Sequence, residues 1–141
     1  MLKRVDLKQQ TLNPTFIGSW VINPLSLCDE LITYFESNKD RQKAGITTGG
    51  KNLENKSSTD ILMWPNDISS HGNGVFEKYF ENLFICYQDY VAQWPFLRTF
   101  AENVEIGNFN LQRYRHGEHF QKTHTERDSL DTLHRVFAWM T

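Results

Sequence analysis

The feature that most constrains the fold is a change of hydrophobic period partway along the chain. From Val75 to Trp94, Phe76, Tyr79, Phe80, Leu83, Phe84, Tyr87, Tyr90, Val91 and Trp94 recur at i, i+3 and i+4. That spacing is one face of a helix, and Pro95 ends it. The aromatic stripe reads as core packing. Beyond Val104 the period becomes two: Phe109, Leu111, Arg113 and Arg115 alternate with Asn110, Gln112, Tyr114 and His116, as a pleated strand requires. Gly117 then separates a second extended stretch, HFQKTHTE, and Leu133–Thr141 reads as a third. Helices first and strands later predict an α+β fold rather than a doubly wound α/β sheet.

Upstream, Phe16–Ile22 reads as a first strand, and Asn23-Pro24 as a helix start with Asn as N-cap and Pro at the first helical position. Leu27, Cys28, Leu31, Ile32 and Phe35 share one helical face, which carries the helix to about Ser37. Residues 1–15 are polar. Residues 38–59 turn to Gly, Asn, Lys, Ser and Thr, a long polar loop of the kind that serves as a lid. Ile61–Trp64 is a short strand stopped by Pro65.

Composition excludes several classes. Fifteen Lys and Arg against seventeen Asp and Glu give a formal net charge of -2, so nucleic acid and anionic membrane surfaces are not expected partners. No apolar run approaches the roughly 18 residues of a membrane span. The N-terminal MLKRVDLKQQTLNPT lacks the apolar core of a signal peptide. Two cysteines, Cys28 and Cys86, set no disulfide framework and read as buried and inert. With 141 residues, 39% hydrophobic and 13% aromatic, the expectation is one globular, cytoplasmic domain over 1–141. Its oligomeric state is not readable.

Four of the five histidines, His116, His119, His124 and His134, fall within nineteen residues. In an extended strand, i and i+2 project to the same face, so His124 and Glu126 can present a nitrogen and an oxygen to one point. These are two legs of the 2-His-1-carboxylate triad that leaves open positions on non-haem Fe(II). Taken alone, His-x-Glu is also common at solvated strand ends. His116 and His119 read as turn or surface residues, and His134 as exposed. Gly49-Gly50-Lys51 lacks the spacing of a phosphate loop.

The stretch from Gln112 to Glu126 resembles the pattern Tyr-x-x-Gly-x-x-aromatic-x-x-x-His-x-acid, here Tyr114, Gly117, Phe120, His124 and Glu126. That is the metal-binding strand region of 2-oxoglutarate/Fe(II) oxygenases of the prolyl 4-hydroxylase type. Arg135-Val-Phe-Ala-Trp matches the Arg that opens the family's next strand. The strand, the helix at LCDELITYFE, the polar loop, Lys56-Ser-Ser-Thr-Asp60 and the long helix also look like the family's N-terminal part. The resemblance implies a double-stranded β-helix (a cupin-like jelly roll) with the N-terminal helices packed on one sheet, incomplete at the C-terminus. It also implies an Fe(II)-dependent dioxygenase, a hydroxylase, with His124 and Glu126 as metal ligands. Tyr114 would donate a hydrogen bond to 2-oxoglutarate, and Gln112 would line its pocket. 2-Oxoglutarate and O2 would be cosubstrates and ascorbate an auxiliary reductant. A protein, peptide or small-molecule substrate would lose a C–H hydrogen while the cosubstrate becomes succinate and CO2.

Two departures from the pattern bear on this reading. Glu126 stands where the family usually has Asp. The family's distal His and the basic partner of 2-oxoglutarate come after the point where this chain stops, in the apolar run Val136–Met140. The chain therefore reads as the N-terminal two-thirds of such a domain, a C-terminally truncated fragment inactive alone. Two other functions fit the same residues. One is a non-catalytic jelly-roll binding module. The other is a zinc site using His124, Glu126 and one of His116, His119 or His134.

Overall fold

The computed structural model describes residues 2–8, 12–47, 49–100 and 103–141. Residues 9–11 of the polar N-terminal stretch and Thr48 of the polar loop lie outside them. The chain is mixed α+β, as the change of period predicts. Its elements in order are β1 (Lys3–Arg4), β2 (Trp20–Val21), α1 (Ser26–Ser37), β3 (Lys43–Ala44), β4 (Lys56–Ser57), β5 (Thr59–Met63), α2 (Gly74–Gln93), α3 (Leu97–Phe100), β6 (Phe109–Arg113) and β7 (His119–Phe120). Among the described residues, short 3-10 turns lie at Lys39–Arg41, Pro65–Asp67 and Leu130–Thr132. The strands form two antiparallel pairs, β1-β2 and β4-β7, and a three-stranded sheet of order β3-β5-β6. They close no barrel among the described residues, so the expectation of a jelly roll goes beyond what these strands form.

The chain divides into two compact units. The first, Met1–Asp40 with Met63–Phe109, holds the helices. Its core is the apolar face of α1 against α2: Leu27, Phe35, Met63, Phe76, Tyr79, Phe80, Val91 and Leu97 are all buried. Tyr34 meets Phe76 edge-on at 4.8 Å, and Phe109 sits 5.7 Å from Phe76 and 5.0 Å from Phe80. Edge-to-face rings at these separations add stabilisation beyond the area they bury. The stripe on α2 is therefore core at Phe76, Tyr79, Phe80 and Val91, while Phe84 is exposed.

Two expectations for this unit need correction. Phe16–Ile22 is not one strand. Only Trp20–Val21 pairs, with Lys3–Arg4, and Phe16 takes a left-handed φ of 56° that no strand allows. Nor is Asn23 the cap of α1. The Asn23-Pro24 peptide is cis, the helix begins at Ser26 with Leu25 at the N-cap, and the amides of Leu27 and Cys28 donate to the carbonyls of Pro24 and Leu25. The amide of Asn23 turns instead to Asn82.

The second unit, Arg41–Leu62 with Asn110–Thr141, carries the remaining strands. The expected polar loop at 38–59 is partly ordered into β3 and β4. Within it the Gly45 amide donates to the Ser58 carbonyl at 2.9 Å. Gly117, with φ of +83°, makes the turn from β6 into β7, a conformation that glycine adopts at little cost. Of the expected strands HFQKTHTE and Leu133–Thr141, the first is cut to two residues and the second is not assigned as a strand. Only His119–Phe120 pairs, with Lys56–Ser57, and no strand is assigned after it among the described residues. Residues 135–140 still alternate between half-buried and exposed, the signature of extended backbone.

Candidate functional site

The second unit contains a buried polar cluster beside the histidine segment. Lys56, Ser58 and Asp60 alternate along β4 and β5 and are all buried. The Lys56 ammonium contacts Asp60 Oδ2 at 2.7 Å, and the Ser58 hydroxyl donates to Oδ1 at 2.7 Å. Gln112, from β6, donates its side-chain N–H to Oδ2 at 3.1 Å. A Cβ on Gly45 would stand 2.1 Å from Ser58 Oγ, so the backbone of residue 45 closes one side of the cluster.

The Asp60 carboxylate can only accept, so it fixes which end of the Gln112 amide faces it. The amide oxygen then faces away and accepts the Tyr114 hydroxyl at 3.2 Å. Both residues expected to serve a cosubstrate, Gln112 and Tyr114, are thereby wired in series to Asp60. In this arrangement the Tyr114 proton is committed to Gln112. Donation to a carboxylate would require that bond to exchange.

Lys56 also connects the cluster to the histidines. It is the cross-strand partner of Phe120, and its ammonium lies 5.6 Å from that ring, within cation–π range. The His124 imidazole stacks on Phe120 at 4.5 Å. Its Nδ1 lies 3.1 Å from the Lys122 carbonyl. A carbonyl only accepts, so Nδ1 carries the proton, and in the neutral ring Nε2 keeps its lone pair. Nε2 faces Glu126 Oε1 at 3.5 Å. The other carboxylate oxygen, Oε2, accepts from Arg135 at 3.1 Å. His124 and Glu126 thus meet as the i, i+2 spacing predicts, although no strand is assigned there.

Two acceptors pointed at each other require a proton or a cation between them. A charge-assisted N–H···O bond closes to about 2.7–2.9 Å, well below the observed 3.5 Å. Two donors each about 2.1 Å from one metal ion stand about 3 Å apart at a right angle, and further apart as the angle opens. At 3.5 Å the pair suits a loose ion pair with a protonated imidazole as well as two donors on one cation. A carbonyl-held Nδ1 is also the usual way a metal-binding histidine has its ring oriented.

The other histidines do not join the pair. The two ring nitrogens of His119 lie 3.3 and 3.2 Å from the carbonyls of Gly117 and Glu54. His116 and His134 are exposed. Among the described residues, no group of three or more His, Cys, Asp or Glu converges as a metal site. Cys28 and Cys86 are free thiols, half-buried rather than fully buried, and burial pushes the Cys86 thiol up from its ordinary pKa.

Sequence reasoning missed Arg135 as the partner of Glu126 and Gly45 as a wall of the cluster. No helix among the described residues is long and apolar enough to cross a membrane. No family model, no curated protein and no solved structure matches the chain.

Proposed function

We propose that the chain belongs to an Fe(II)- and 2-oxoglutarate-dependent dioxygenase of the prolyl 4-hydroxylase type. In this reading the strands of the second unit are part of a jelly-roll domain. The observation that carries the proposal is the convergence of His124 Nε2 and Glu126 Oε1 at 3.5 Å, with Nδ1 occupied by a carbonyl. A facial triad needs a third protein donor, and the described residues supply two. The third, like the basic partner of 2-oxoglutarate, would come from further polypeptide.

Bound iron would supply the redox step, with 2-oxoglutarate and O2 on the positions a facial triad leaves open. This chain's own share is orientation. The Lys122 carbonyl holds the His124 ring in one tautomer, and Phe120 supports its face. Gln112 and Tyr114 would border the cosubstrate, with Tyr114 exchanging its proton from Gln112 to the incoming carboxylate.

The test uses the full-length polypeptide. Wild type should bind one Fe(II) or Mn(II) and convert 2-oxoglutarate to succinate, slowly when no substrate is present. His124→Ala should abolish both metal retention and turnover, because two remaining donors hold a metal weakly. Wild-type turnover in that variant would falsify the metal assignment. Stoichiometric zinc without 2-oxoglutarate turnover would favour the zinc site instead.

A further inference from the structure

We propose that Arg135 is a positioning residue: its guanidinium pins one oxygen of Glu126 so that the other is presented beside His124. The proposal rests on the metal reading above. The two oxygens of this carboxylate have different partners, Oε2 taking Arg135 Nη1 at 3.1 Å and Oε1 facing His124 Nε2 at 3.5 Å. A carboxylate anchored in this way presents a single oxygen in a fixed direction.

Local backbone brings the pair together. Ser129 opens the 3-10 turn Leu130–Thr132, where the Ser129 amide donates to Thr132 Oγ1 at 3.0 Å and the Thr132 amide to the Ser129 carbonyl at 3.1 Å. The Arg135 amide donates to the Thr132 carbonyl at 3.1 Å. Each bond folds the chain back, so that residue 135 returns to residue 126. Arg135 is 40% and Glu126 44% exposed at the side chain. An ion pair so open to water adds little to stability, so its main effect is on geometry.

Glutamate explains why an anchor is needed. It has one more rotatable bond than aspartate, and without a partner its carboxylate would sample several directions. The same Nη1 lies 3.5 Å from the Glu126 backbone carbonyl, so the guanidinium meets residue 126 at main chain and side chain together. A shorter Asp at 126 would not reach Arg135 in the same way and would have less freedom to restrain.

The experiment is a double-mutant cycle on the full-length protein, read by Mn(II) titration and by the visible absorption of the Co(II) form. Arg135→Gln should weaken Mn(II) binding by about 10–100-fold, the usual range for removing a partner that orients a metal ligand. It should also alter the Co(II) band, while the melting temperature of the metal-free protein stays unchanged. In the Glu126→Asp background, the same substitution should change Mn(II) affinity by less than about twofold. Arg135→Lys should fall between wild type and Arg135→Gln, and it serves as the reading if the Gln variant misfolds. Unchanged Mn(II) affinity in Arg135→Gln overturns the proposal while leaving the metal reading intact. An equal loss in both backgrounds also overturns it, by showing a role outside Glu126. Absence of Mn(II) binding in wild type overturns the metal reading and this role together.

Discussion

Asp60 concentrates three donors on one buried carboxylate: Lys56, Ser58 and Gln112. Removing one member of a buried ion pair leaves the other charged and desolvated, at a cost of about 3–5 kcal/mol. Asp60→Ala should therefore lower the unfolding free energy by about that amount in urea denaturation. A loss below about 1 kcal/mol, the range of an exposed pair, would mean that water reaches the Lys56 ammonium. Residue roles were legible in the sequence to very different degrees. His124 and Glu126 could be paired on paper because i, i+2 is a local relation. The alternation of Lys56, Ser58 and Asp60 was equally visible, but polar residues at that spacing ordinarily face solvent. Their burial depends on Gly45 behind them and on Gln112, 52 positions after Asp60. The Arg135–Glu126 pair depends on a turn whose course no periodicity reveals.

At the scale of elements, length decided legibility. The helix α2 repeats its pattern over twenty residues and was readable almost to its ends. The strands β1 and β2 are two residues each, too short to show a period, and β1 consists of two basic residues. The corner they make is tied to α2 by side chains. Arg4 and the Trp20 indole N–H share Asp89 Oδ2 at 3.0 and 2.8 Å, and Arg4 also bonds Gln93. The Tyr90 hydroxyl donates to the Phe16 carbonyl at 2.6 Å. Burial raises the pKa of both Cys86 and Tyr90 on this helix, with Asp89 adding to the first and Arg4 opposing the second. A raised acid binds its proton more tightly folded than unfolded. Its stabilisation is complete below the unfolded values and is lost as pH rises through the folded ones. Melting temperature should consequently fall above about pH 9, and less steeply in Tyr90→Phe. A melting temperature that climbs across that range would contradict the sign.

Each of the two units leaves large apolar side chains open to solvent: Ile17 and Leu25 in the first, and Ile46, Leu130 and Met140 in the second. Exposed apolar area of this extent is ordinarily covered by a partner or by more protein. Residues 1–141 should therefore bind a hydrophobic dye such as ANS and sediment above 16.6 kDa at micromolar concentration. A monodisperse monomer that leaves the dye dark would show that this surface is tolerated uncovered.

The crowding around Gly45 has a consequence for how the sequence can drift over generations. A side chain at 45 collides with Ser58, and Asp60 cannot change alone without stranding Lys56. Single replacements at these positions lead through damaged intermediates, so they should be inherited as a block. A lineage that has lost Asp60 should have lost Lys56 as well, and only then should position 45 be free to take on a side chain.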